Sequence, residues 1–389
     1  MTYYLTIGGK PHLQQGVCQA AVSTGIIDLE FYQDNKLIKR VNLAADRTSI
    51  SQTLLATRQK IDLICERLGI SSDDLDYDRS DLSRPQKMWF KVLFLKKIFC
   101  EAFIPSQWVI VYKHKDDNKW RKLVPDSSLF QADPFIVYHE NKYYVFYEEL
   151  QFSDYHGYLK VAELDTENNR LINDAVILKL DYHLSFPNVF QENGQFFMIP
   201  ESADNHTVDL FECTDFPYKW KKKQTLLDNI QAVDATPLKT DDGWYLFLSE
   251  IIPGAACDDE LSIYKSDNLF EEPLIKLYDE PVVSDVTNAR MAGHFIHQDG
   301  DLFRVSQNCG KRYGHQANIN KVLQIEGGYK EERIKTLKPD FGALGFHTYN
   351  QVQDLVIGDM EIARFDGYSL KRFVWGNIKK HLLGLSASS

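Results

Sequence analysis

Glu148, Glu201, Glu250 and Gln307 end the second strand of four similar segments, at spacings of 53, 49 and 57 residues. The segments are QADPFIVYHENKYYVFYEE (131–149), LSFPNVFQENGQFFMIPES (184–202), VDATPLKTDDGWYLFLSE (233–250) and RMAGHFIHQDGDLFRVSQ (290–307), each reading as strand, polar turn, aromatic strand. In an antiparallel hairpin the residue entering the first strand and the residue leaving the second share an edge, so Asp133 is expected opposite Glu148 and Asp234 opposite Glu250. Several carboxyls at one mouth suit glycosyl chemistry. One carboxylate stabilises an oxocarbenium-like centre while a second carboxyl manages the leaving-group proton. Mutual repulsion would raise at least one pKa and keep a neutral donor available near pH 7. For any one acid the alternative is a strand end at a solvated rim, a reading that four in register make harder to sustain.

Cations accompany the acids. Arg290 in NARMAG and Lys311, Arg312 and Tyr313 in QNCGKRYGHQ fall at expected inner-strand edges. Guanidinium groups suit bidentate binding of carboxylate or phosphate, which a neutral glycan does not need and an activated donor or a uronate does. The alternative for Arg290 is neutralisation of neighbouring acids. His347 is expected to face Asp359 across a further turn in GFHTYNQVQDLVIGDMEIARF (345–365), and its alternative is a core histidine bonded to a neighbouring unit.

A period near fifty residues means a β-propeller or an array, and the four hairpins plus the 345–365 unit make five blades over about 105–370. Innermost strands of a propeller line its axis, which would bring these edges to one mouth. Ahead of it, residues 1–45 alternate as strands with a turn at Asp34–Asn35, and a helix capped by Ser49 or Ser51 runs to Gly69. Residues 1–104 thus read as a small α+β module, 71–85 as a polar linker and 371–389 as a basic tail. The segment 84–104 sets Lys87, Lys91, Lys96 and Lys97 among Trp89, Phe90, Phe94, Leu95 and Phe99. It is either a helix lying on an anionic membrane or one packed on the propeller with its lysines reaching water, and 373–385 has the same ambiguity.

Composition narrows the classes. A net charge of −11 argues against nucleic acid as partner. Six scattered cysteines without a CxxC pair read as free thiols in a reducing compartment. With no apparent leader or membrane span, the expected location is cytoplasmic, at the inner face of the cell membrane if 84–104 binds lipid. No phosphate-binding glycine loop, DxD, HExxH or GxSxG stands in a credible setting, so neither metal nor cofactor is assigned. Asp258–Glu260 is the nearest approach to an acidic metal cluster, and an axial or loop calcium ion has no residues to support it.

Taken in order, ADPF with FYEE, LSFPNVF with MIPES, TDFPYKW, VDATPL, NARMAGHF, QNCGKRYGHQ and FHTYN resemble the N-terminal domain of plant glucosamine inositolphosphorylceramide transferases, also found in bacterial polysaccharide-cluster proteins. That domain is similar to the five-bladed propellers of the arabinanase, levansucrase and invertase superfamily. The resemblance covers roughly 105–370 and implies a carbohydrate in an axial pocket. It assigns Asp133 the base or nucleophile and Asp234 an orienting part, leaving Glu148, Glu201 and Glu250 as candidates for the acid. Glu250, Arg290, Gln307, Arg312, Tyr313 and His347 are expected to bind substrate. Three functions stay open: a glycosyltransferase of cell-surface polysaccharide synthesis using an activated sugar donor and a glycan acceptor, an arabinanase-type glycoside hydrolase, and a glycan-binding module. The missing leader and the cations favour the first.

Overall fold

A computed structural model describes residues 2–46, 49–102, 105–153 and 155–367; within the helix ending at 102, the side chains of 94 and 96–102 lie outside the description. The chain is mainly β. Its first four strands form one sheet in the spatial order Lys36–Ala44, Ile26–Gln33, Tyr3–Ile7, Leu75–Asp76. Asp34 and Asn35 make the hairpin turn in left-handed conformation, as their residue types allow. Helices α1 (Leu13–Ser23) and α2 (Ile50–Leu68) also belong to this module. Sequence alternation placed strand at VCQAAVS. Instead it is helical, because Leu13, Val17 and Ala21 repeat every four residues and bury one face, while His12 accepts the Gln15 N–H at the start. Helix α2 begins on the Ser49 hydroxyl and stops at Gly69 with φ of 66°.

Helix α3 (Arg84–Ala102) follows. After it come five four-stranded antiparallel sheets. The first spans Leu129 to Leu178, the second Ser185 to Asp228, the third Ala232 to Lys276 and the fourth Ile296 to Leu337. The fifth joins the two ends of the β region: Leu355–Ala363 pairs with Ser106–His114 over their whole length. Neighbouring sheets pack through aromatic side chains, for example Phe135 edge-on to Phe186 at 4.8 Å.

One local device recurs on the leading strands of the first three sheets. Asp133 (φ 49°), Phe186 (φ 44°) and Asp234 (φ 53°) each occupy a bulge, between the pairs Ala132/Phe135, Ser185/Asn188 and Val233/Thr236. Positive φ at bulky or acidic residues costs energy and persists where the surroundings enforce it, and a bulge re-aims the side chain it carries. At two of the three positions that side chain is a buried aspartate.

Candidate active site

The bulges supply two knots of buried polar groups. In the first, Asp133 accepts the Thr348 hydroxyl at 2.7 Å on Oδ1 and the Phe186 N–H at 3.3 Å on Oδ2. Its own N–H donates to Asp359 Oδ2 at 2.8 Å. Asp359 Oδ1 takes His347 Nδ1 at 2.7 Å and the Thr348 N–H at 3.0 Å. Trp108 stacks on the His347 ring at 4.0 Å, fixing its plane. Burial, opposed by His347 and reinforced by Asp359, Glu148 and Asp234, pushes Asp133 up to about 7. Burial also disfavours charge on His347, but Asp359 and Asp133 outweigh it and lift that imidazole to about 9.

The second knot is built on Asp234. Arg290 grips it through Nε at 2.6 Å and Nη2 at 3.2 Å, and Gln307 donates to Oδ2 at 3.0 Å. The same guanidinium reaches Glu201 at 3.4 Å and the Cys257 thiol at 3.3 Å. Burial first, then the Asp234 charge, holds Glu201 well above the usual carboxylate range, against the pull of Arg290. The Tyr313 ring joins the knots: it stands perpendicular to His347 at 5.4 Å and lies 5.1 Å from the Arg290 guanidinium carbon. Tyr313 is 40% exposed, whereas Asp133 and Asp234 are 6% and 1% exposed, so solvent meets the cluster at the tyrosine and the half-buried Glu201 rather than at the two aspartates.

Glu148 is buried opposite Ala132, one residue before the first bulge, and its Oε1 lies 3.1 Å from His183 Nε2 without a hydrogen-bond direction. Gly157 leaves the room: a Cβ there would stand 2.6 Å from that oxygen. Asp133, Asp234, Glu148, Glu201, Arg290, Gln307, Tyr313 and His347 are thus linked through direct contacts or mutual charge.

Two residues expected here are elsewhere. Glu250 pairs with Lys276 at 2.5 Å and accepts the Tyr264 hydroxyl at 3.2 Å, opposite Ala232 rather than beside Asp234. The residue equivalent to Glu148 and Glu201 in the third sheet is Ser249, opposite Val233 at the edge of the bulge. A one-residue slip sends a side chain to the other face of its sheet. Arg312 is bound to Glu361, which also accepts the Ser106 hydroxyl, so it serves the fifth sheet. The sequence reading missed Trp108, His183, Cys257 and Thr348. Two signals were available: His183 directly precedes the LSFP motif, and Thr348 stands beside His347 inside FHTYN.

Asp133, His347 and Asp359 offer ligand atoms within 4.8 Å of one another, a grouping able to take a cation. The hydrogen bonds converging on Asp359 account for that closeness by themselves. Asp259 and Glu260 of the acidic run are committed to Lys60 and Arg67 of α2.

The family model described as glucosamine inositolphosphorylceramide transferase 1, N-terminal, matches residues 122–343, a stretch holding both bulged aspartates. The chain belongs to this family. A protein of Arabidopsis thaliana named glucosamine inositolphosphorylceramide transferase 1 is 29% identical over 200 residues, 50% of this chain and 26% of that one. Its namesake in Oryza sativa subsp. japonica is 28% identical over 208 residues, 52% and 28% of the two chains. The match therefore spans about a quarter of the curated relatives' length. Among solved structures, the catalytic domain of the Coprinopsis cinerea GH62 α-L-arabinofuranosidase is similar with a TM-score of 0.46 at 13% identity, over 61% of this chain and 94% of that one. A GH43 endo-arabinanase from Bacillus licheniformis gives 0.43 at 16%, over 64% and 98%.

Proposed function

We propose that the chain is a glycosyltransferase acting in cell-surface polysaccharide synthesis, with the five sheets as the blades of a propeller and the acid cluster on its axis. The observation that carries this reading is that two carboxyls of one polar cluster are both raised, the half-buried Glu201 well above the usual carboxylate range and the buried Asp133 to about 7, beside the Arg290 guanidinium and the His347 imidazole. A carboxyl that keeps its proton can serve as general acid, and one that ionises near neutral pH as base. In the proposed reaction an activated sugar donor loses its leaving group as Glu201 protonates the departing oxygen. Asp133 stabilises the positive anomeric centre and takes the proton of the attacking acceptor hydroxyl. Asp234, clamped by Arg290, orients Glu201 and keeps its proton on. Arg290 acts inside the cluster on this view, since its donors already face Asp234 and Glu201. That the family's curated members are named as transferases supports transfer over hydrolysis.

The acceptor is proposed to be a glycan presented at the inner face of the membrane. Helix α3 supports this by exposing Met88, Trp89, Val92 and Leu95, of which Met88, Val92 and Leu95 share one helical face beside Lys91. Phe94, Phe99, Lys96 and Lys97, and all of 373–385, lie outside the described side chains.

Transfer is tested by incubating the protein with a panel of radiolabelled nucleotide sugars and polysaccharide acceptors. Asp133→Asn keeps the shape and removes the charge, and should lower turnover on the order of a hundredfold or more. Release of free sugar without an acceptor would make the protein a hydrolase; glycan binding with no turnover would make it a binding module. The binding reading draws on the complete pairing of Asp234.

A further inference from the structure

A concavity opens away from the acid cluster, between the last strand of the fourth sheet (Lys330–Leu337) and the strand Ser106–His114 of the fifth. It has a volume of about 210 Å³, and its walls include Lys113, Lys335, Lys338, Trp120, Phe346 and Tyr349. Segment 346–349 divides the two sites: Phe346 and Tyr349 face this cavity, while His347 and Thr348 hold Asp359 and Asp133.

The charge of the cavity is out of keeping with the rest of the molecule. Four lysines on other strands are neutralised, Lys221 by Glu212, Lys239 by Glu192, Lys276 by Glu250 and Lys321 by Asp301. Among the described residues no carboxylate pairs with Lys113, Lys335 or Lys338; Lys113 donates only to the Asp117 carbonyl, at 2.8 Å, while its ammonium lies 5.5 Å from the Trp120 ring centre. Three lysines lining one hollow with no paired carboxylate repel one another, and an anion seated among them relieves that repulsion. Lysine is a compact charge suited to phosphate. Trp120, partly exposed and braced edge-on by the buried Phe346 at 5.4 Å, offers an apolar ring face that a bare anion does not use and the C–H face of a sugar ring does. The volume lies below the roughly 300–1,000 Å³ of pockets for drug-sized ligands and fits one ring rather than a chain.

We infer that this cavity binds a phosphorylated monosaccharide, at a site separate from the acid cluster and independent of the reaction proposed for it. Titration calorimetry with glucose 6-phosphate, glucose and inorganic phosphate tests this, using wild type, Asp133→Asn and the double variant Lys335→Ala/Lys338→Ala, whose positions are exposed and carry no fold contacts through charge. Glucose 6-phosphate should bind one to one and more tightly than inorganic phosphate, with glucose giving no heat at the same concentration. The double variant should weaken binding about tenfold or more, added salt should weaken it too, and Asp133→Asn should leave it unchanged. Absence of binding, binding that survives the double variant, or binding lost in Asp133→Asn would overturn the assignment. Equal affinity for inorganic phosphate would remove the sugar from it.

Discussion

Glu201 and Asp133 differ in what surrounds them more than in what they are. Glu201 faces Asp234, which Arg290 grips at 2.6 Å, whereas Asp133 sits in a net of donors with an imidazole 3.8 Å away. If they act as proposed, the rate should rise as pH passes about 7, where Asp133 ionises, and fall at higher pH as Glu201 loses its proton. Glu201→Gln keeps the hydrogen-bonding shape without a transferable proton, so turnover should drop on the order of a hundredfold and the alkaline limb should vanish from the pH–rate profile. Stability carries its own signature. Both carboxyls hold protons in the folded protein that the unfolded chain releases near pH 4, so folding stability from these groups falls as pH rises from about 4 through 7. Melting temperatures across that window should show the fall, with a shallower slope in Asp133→Asn. A slope unchanged by the substitution would mean that Asp133 is ionised throughout. The acids themselves were legible, since Asp, Glu and their spacing are visible in the chain. Their pairing with Arg290 was left open because nothing in sequence separates a clamp from a ligand-binding arginine.

Hairpins are the element at which the sequence reading both succeeded and slipped. The turns at Glu140–Asn141, Asn193–Gly194 and Asp299–Gly300 all adopt left-handed backbone, and seven residues beyond each stands Glu148, Glu201 or Gln307. Placing Glu250 in that column requires a turn at Asp242–Gly243, the pattern that Asp-Gly favours. The strand instead resumes at Gly243, paired with Thr240, and the count ends on Ser249. Tyr245 donates to Asp242 at 2.8 Å and helps set the different turn, a contact that local propensity does not reveal. The bulges were equally hidden, since period-two alternation reports which face a residue takes but not where one extra residue enters. Close approach between sheets gives a sharper test at Gly293, with φ of 146° and a virtual Cβ only 2.3 Å from the Tyr349 carbonyl and 2.8 Å from Asn350 Oδ1. Asn350 there ties the His294 N–H to the Pro134 carbonyl at 2.8 and 2.9 Å. Gly293→Ala should cost on the order of 3 kcal/mol and lower the melting temperature by several degrees, and a neutral result would show that these strands can part.

For the whole molecule, the exposed row on α3 makes a claim about where the protein works. Vesicles containing phosphatidylglycerol should sediment it at low salt and release it at high salt, and Trp89→Glu with Leu95→Glu should weaken capture about tenfold. Capture by neutral phosphatidylcholine alone, indifferent to salt, would refute the electrostatic part. No sediment under any condition would return α3 to a packing role. Among the described residues, no helix is long and apolar enough to cross a membrane.

Lys60, fully buried on α2, holds Asp259 at 3.1 Å and Glu260 at 2.6 Å, and Arg67 adds a two-pronged grip on Glu260. These acids close the loop whose Cys257 rests on Arg290. A protein engineer cutting the chain at residue 105 would strip two interior carboxylates of their counter-charges and slacken the loop against the guanidinium, an injury of several kcal/mol. The stretch shared with the family, 122–343, also omits strands at both ends that make up the fifth sheet. A transplant of the acid cluster into another scaffold would therefore have to begin ahead of α2 and not at the border that kinship draws.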